Sequence, residues 1–246
     1  MTDPGATFAP GFFLAPARRH GDGVPMNFEE DEAATAQIDA LIAPPVRLAL
    51  AYAPRRARGA WRAFMALDRR LAQLIDPSRE PMLAQMRLAW WRETFARPAG
   101  EWPAGEPLLA ALRPWGEGRA AFTELVDGWE AMIGDAPLAT VDIAATAQGR
   151  AAAMAGLSRV LNGGAVAALA YRWALADLAV HMGDETERGR AMTLLRAAAA
   201  PERRAGRAMR PLIVLARMTE RAAHENRPIG GAGDFARAVR AGWLGA

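Results

Sequence analysis

A chain of 246 residues, 52% of them hydrophobic, is long enough to bury a substantial core as one domain. It has no cysteine, which excludes disulfides and thiolate metal sites, and its three histidines, His20, His181 and His224, are too scattered in sequence for a zinc site. The pI of about 10.3 goes with a net charge of only +3, because every basic residue is arginine; with no basic stripe interleaved with aromatics, nucleic acid is excluded as a partner.

Residues 1–28 read as a flexible N-terminal tail. Its Phe12-Phe13-Leu14 is too short an apolar stretch, without a charged start, for a signal peptide. The remainder, 29–246, reads as one helical domain. Glu29–Ile42 is a first helix, with Asn27 as its cap and acids in its first turn, and Pro44-Pro45 ends it. Val46–Tyr52 is a second, broken by Pro54. Arg55–Ile75 is long, and Trp61, Phe64, Met65, Leu71, Leu74 and Ile75 keep a helical period along it.

Pro81 opens the next helix, which runs to Arg97. Pro107–Arg113, Arg119–Ile133 and Ala139–Leu161 follow, the last stopped by Asn162-Gly163-Gly164. Ala165–Met182, Asp184–Ala199, Pro201–Asn226 and Gly233–Leu244 complete the chain. No segment alternates as a strand does, so the fold class is all-α. No apolar run approaches the roughly 20 residues that a membrane span needs. The expected location is cytoplasmic, with peripheral contact to the inner membrane as a further reading.

Two segments carry a resemblance. Leu50-Ala51-Tyr52 through Trp61-Arg62-Ala63-Phe64 to Gln73, and Met86-Arg87-Leu88-Ala89-Trp90-Trp91-Arg92-Glu93, resemble the squalene/phytoene synthase family, the second its Arg-x-x-Trp-Trp-Arg segment. Asp39 to Pro45 looks like the opening common in bacterial members. Ala238–Leu244 resembles the terminal helix of a noncatalytic branch that includes a mitochondrial complex I assembly factor. The resemblance implies a single-domain, isoprenoid-synthase-like bundle around a central cavity.

In catalytic members the long helix reads roughly Phe-Cys-Arg-x-x-Asp-Asp-x-x-Asp. Aligning on Phe64 places Arg69 and Arg70 on the paired aspartates and Gln73 on the third. A register shifted by one residue brings Asp68 toward the motif, and one aspartate beside two arginines is a poor Mg²⁺ site. Gly189-Arg190 resembles the Gly-Arg after the second acidic motif, whose frame then falls on Asp177, His181 and Glu185. Mg²⁺ takes oxygen ligands, and arginine is a permanent donor that cannot coordinate it.

The resemblance therefore implies a degenerate site with no catalytic residue and no metal. Arg69, Arg70, Gln73, His181 and Glu185 mark the altered positions. The expected replacement is an ion pair of Arg69 or Arg70 with Asp177 or Glu185. Arg87, Trp91 and Arg92, with Arg47 and Arg58 behind them, are candidates for a cavity wall or an anion site, since arginine forks onto phosphate.

By resemblance the chain is a noncatalytic factor with a protein partner in respiratory-chain assembly, and it needs no cofactor. Two alternatives stand. One is an active Mg²⁺-dependent prenyl diphosphate condensing synthase. The other is a peripheral membrane module that binds a prenyl chain or lipid, with Phe12-Phe13-Leu14 or Trp243-Leu244 as its expected apolar contact.

Overall fold

The computed structural model describes residues 28–75, 80–202 and 205–230. These hold ten α-helices and no strand, so the all-α expectation holds. They are α1 (Phe28–Ala40), α2 (Pro44–Leu50), α3 (Arg55–Leu74), α4 (Pro81–Ala96) and α5 (Pro107–Leu112), followed by α6 (Ala121–Glu130), α7 (Thr140–Val160), α8 (Ala167–His181), α9 (Glu185–Ala197) and α10 (Arg210–His224). Single 3₁₀ segments lie at Ala99–Glu101, Arg113–Ala120 and Arg207–Met209. The expected tail before Phe28 and the expected helix Gly233–Leu244 lie outside the described residues, as do Phe12-Phe13-Leu14 and Trp243-Leu244.

Proline sets many of the starts. It stands in the first turn of α2, α4, α5 and α10, where the missing N–H would have had no helical partner. One boundary moves well inward: the helix expected from Pro201 begins only at Arg210. Gly206 donates to the Gly163 carbonyl at 2.8 Å, which commits this stretch to the turn after α7 before Pro211 can open α10. The expected helix Arg119–Ile133 likewise starts at Ala121, its first residues being drawn into the 3₁₀ segment.

One apolar core runs through the described residues from Ile42 to Ala223. In its main layer α6 packs on α7, α7 on α8 and α8 on α10, while α3 crosses behind against α4, α5, α6 and α7. α8 is buried on most of its circumference through Ala170, Trp173, Ala174, Leu175, Ala176, Leu178 and Ala179. Small residues bring neighbours close: Gly128 of α6 faces Gly149 of α7, and a Cβ on Gly149 would stand 2.9 Å from the Gly128 Cα. None of the described helices is long and apolar enough to cross a membrane.

α9 is fixed at its start by Asp184, which accepts from Thr186 N–H at 2.8 Å and Glu187 N–H at 3.0 Å. The Glu187 N–H is the largest cause holding this carboxyl below its ordinary pKa of 3.8. A lowered pKa in the folded state stabilises above the unfolded value and is lost as pH falls through the folded one. Asp184→Ala is therefore expected to lower the melting temperature at neutral pH. The gap to the unmodified protein should begin to narrow below the unfolded value and close only once the pH is below the lowered folded one. A gap that persists in acid would show that the cap is not the cause.

Candidate functional site

The centre of the helical layer holds a charge. Arg150, in the middle of α7, is 2% exposed. Its Nε donates to Asp68 Oδ1 at 3.1 Å and its Nη2 to Asp68 Oδ2 at 2.7 Å, the forked geometry that suits guanidinium to carboxylate. The same Nη2 donates to Asp177 Oδ2 at 2.8 Å, and Nη1 to the Ala174 carbonyl at 3.4 Å. Asp68 comes from α3 and Asp177 from α8, so one side chain joins three helices.

Two tryptophans close the site. The guanidinium carbon lies 4.4 Å from the Trp173 ring centroid and 5.1 Å from that of Trp129, within cation–π range. Trp129 also donates its indole N–H to Asp68 Oδ1 at 2.9 Å. Burial works against the charge on Arg150. The attraction of Asp68 and then of Asp177 outweighs it and holds the pKa above the ordinary arginine value. A fully buried charge survives only when paired and hydrogen-bonded, and Arg150 is both.

This corrects the expected pairing. Among the described residues neither Arg69 nor Arg70 reaches Asp177 or Glu185. Arg69 and Gln73 are exposed, and Arg70 is half-buried with its Nε unpartnered. The reason is helical phase: Asp68 faces inward on α3, and the following residue turns out to solvent. Asp177, His181 and Glu185 do not form one face either. α8 ends at His181, and Glu185 begins α9, where its side chain is 88% exposed and pairs with Arg188. His181 is exposed, its Nδ1 2.8 Å from the Asp177 carbonyl oxygen.

The remaining candidates have structural duties. Arg92 spans from α4 to α6, bonding Asp127 at 2.7 Å and also Glu130. The hydrogen bond to Asp127 is the chief reason its pKa is raised. Trp91 is core, meeting Trp90 edge to face and Phe95 at a tilt, while Trp90 is half-buried. Arg87 is exposed. Arg47 donates to the Ile42 carbonyl at 2.8 Å and Arg58 to that of Ala53 at 3.1 Å. Arg190 bonds the Pro137 and Leu138 carbonyls, tying α9 to the loop before α7.

The space between α3, α7 and α8, where a central cavity is expected, is thus filled by Arg150, Trp129 and Trp173. The residues there do not fit a magnesium ion. Mg²⁺ needs several converging oxygens, and the carboxylates of Asp68 and Asp177 are both turned onto a guanidinium. Among the described residues no group of three or more His, Asp or Glu is placed to hold a metal.

Sequence reading missed Arg150, Trp129 and Trp173, and met Asp68 only as a shifted register. A signal for Arg150 was present. It is the lone charge in the run Ile143–Ser158, with neither an acid three or four residues away nor a polar face to share.

Comparison with known proteins agrees with one part of the resemblance. Residues 45–146 match the family model described as squalene/phytoene synthase. No curated protein matches the chain, and no solved structure does. The matched stretch contains Asp68 and Trp129 and stops before Arg150, so the α3 and α6 side of the site lies in the part of the chain that is similar to that family.

Proposed function

We propose that the chain is a noncatalytic protein of squalene/phytoene synthase type that acts by binding a protein partner, in the role of an assembly factor for a respiratory complex. The observation that carries the noncatalytic reading is the Asp68–Arg150–Asp177 bridge. A synthase of this type needs carboxylates free to hold magnesium around a leaving diphosphate. Here an internal cation of fixed charge takes the two acids that the fold brings together. The assembly role rests on resemblance. Met82, Leu83 and Met86, exposed on the first turns of α4, add an apolar surface that suits a partner.

The test is an assay of the full chain with radiolabelled farnesyl and geranylgeranyl diphosphate, Mg²⁺ and NADPH. The expected result is no prenyl product and no diphosphate release from folded protein. Turnover above a no-protein control would overturn the noncatalytic reading. Crosslinking in respiring cells tests the partner: recovery of respiratory-complex subunits is expected, and their absence from the crosslinked set would count against the assembly role.

A further inference from the structure

A second charged feature lies far from Arg150. Tyr52, Ala53, Pro54, Arg55, Arg56, Arg207 and Arg210 line an open pocket of about 520 Å³. Four of the seven are arginines and none is acidic. Among the described residues no hydrogen bond or ion pair engages these four guanidiniums. By contrast Arg92, Arg172, Arg188 and Arg221 each pair with a nearby acid. Four like charges around one open concavity make a local positive potential that attracts an anion.

The pocket is held in shape from beneath. Trp61, fully buried on α3, donates its indole N–H to the Ala208 carbonyl at 2.8 Å. That bond pins the Arg207–Met209 turn against α3, so that Arg207 and Arg210 stand opposite Arg55 and Arg56. The first turns of α3 and α10 both open here, and neither has a side-chain cap. Their positive dipole ends add to the attraction for an anion. Twelve residues of α3 separate Arg56 from Asp68, about 18 Å of helix, so this is not the Arg150 site.

We propose that this pocket binds a phosphate-bearing anion, its oxygens held by the forks of Arg55, Arg56, Arg207 and Arg210. Arginine is the side chain suited to planar, two-point contact with phosphate oxygens. The volume admits a phosphate with an organic substituent, and the open mouth admits either a free phosphorylated molecule or the headgroup of an anionic lipid at a surface. The proposal is independent of the noncatalytic reading and survives its failure.

The test uses the full chain and two probes. Phenylglyoxal modification is followed by peptide mass with and without inorganic phosphate. Flotation is measured with phosphatidylcholine vesicles that contain or lack phosphatidic acid. Phosphate is expected to slow modification of the four pocket arginines and to leave Arg217, exposed on α10 outside the pocket, unchanged. An Arg56→Gln/Arg210→Gln variant should bind phosphate at least about tenfold more weakly, the usual loss for a charged hydrogen bond. Protection without flotation identifies a free phosphorylated ligand. Flotation that needs phosphatidic acid and is lost in the variant identifies a headgroup. Neither effect, or equal effects in the variant, overturns the proposal, and the protection measurement stands without any variant.

Discussion

Arg150→Met is expected to destabilise the protein by about 3–5 kcal/mol, the cost of stranding one partner of a buried ion pair. At this chain length the melting temperature should fall by on the order of 10 °C. Methionine fills much of the volume between Trp129 and Trp173, so a cavity is not the main term. The main term is Asp68, 4% exposed, which keeps the Trp129 N–H but loses both guanidinium contacts. Asp177 is more open and suffers less.

The discriminating variant removes the charges together. Arg150→Met with Asp68→Asn and Asp177→Asn leaves no uncompensated charge, and an asparagine oxygen can still accept from Trp129. It should recover most of the loss, since neutral replacement of a whole buried ionic group is often tolerated. Thermal or denaturant unfolding of the two variants decides the matter. A triple variant no better than the single one would show that Arg150 acts through packing and not through charge.

Gly149→Ala is the second large expected effect, a net loss of about 2 kcal/mol once the gain in helix propensity is set against overpacking. The added methyl would meet backbone on α6: the Glu124 carbonyl, closer than contact allows, and the Gly128 Cα at 2.9 Å. Backbone cannot rotate away as a side chain end can, so α6 and α7 must separate. The neighbouring residues on each side are Trp129 and Arg150, so the separation also loosens the site. Gly128→Ala meets its nearest atom at 3.1 Å and should fall within about 1 kcal/mol of the unmodified protein. Equal unfolding midpoints for the two variants would refute the close helix contact as the cause.

The helices were readable because proline and periodicity are local signals. Pro44-Pro45, Pro54, Pro81 and Pro107 punctuate the chain where elements stop or start, and the alternation of Trp61, Phe64, Leu71 and Leu74 with arginines fixes the inner face of α3. The start of α10 was not readable, because it depends on Gly206 meeting Gly163, a contact between residues distant in sequence. The site was half readable. Acids from the two helices that carry the altered motifs do converge, Asp68 and Asp177 on one guanidinium, so Asp177 does meet an arginine. Which arginine was beyond local reading. Arg69 and Arg70 draw attention by lying in the motif, yet one residue of helical phase sends Asp68 inward and Arg69 out. Arg150 lies in an alanine-rich stretch where its burial follows from α6 and α8 closing over it.

The same bridge bears on what counts as a self-sufficient piece of this chain. Asp68 waits for a partner 82 residues further on, and that partner needs Asp177 a further 27 residues along. The stretch that matches the synthase family ends at residue 146, so a fragment cut to that boundary would keep a buried carboxylate and lose its counter-ion. During synthesis α3 emerges well before α7, and the interior cannot close until α8 has followed. Residues 45–146 are thus not a self-sufficient unit of this interior, because the counter-charge of Asp68 and its second acid both lie beyond them.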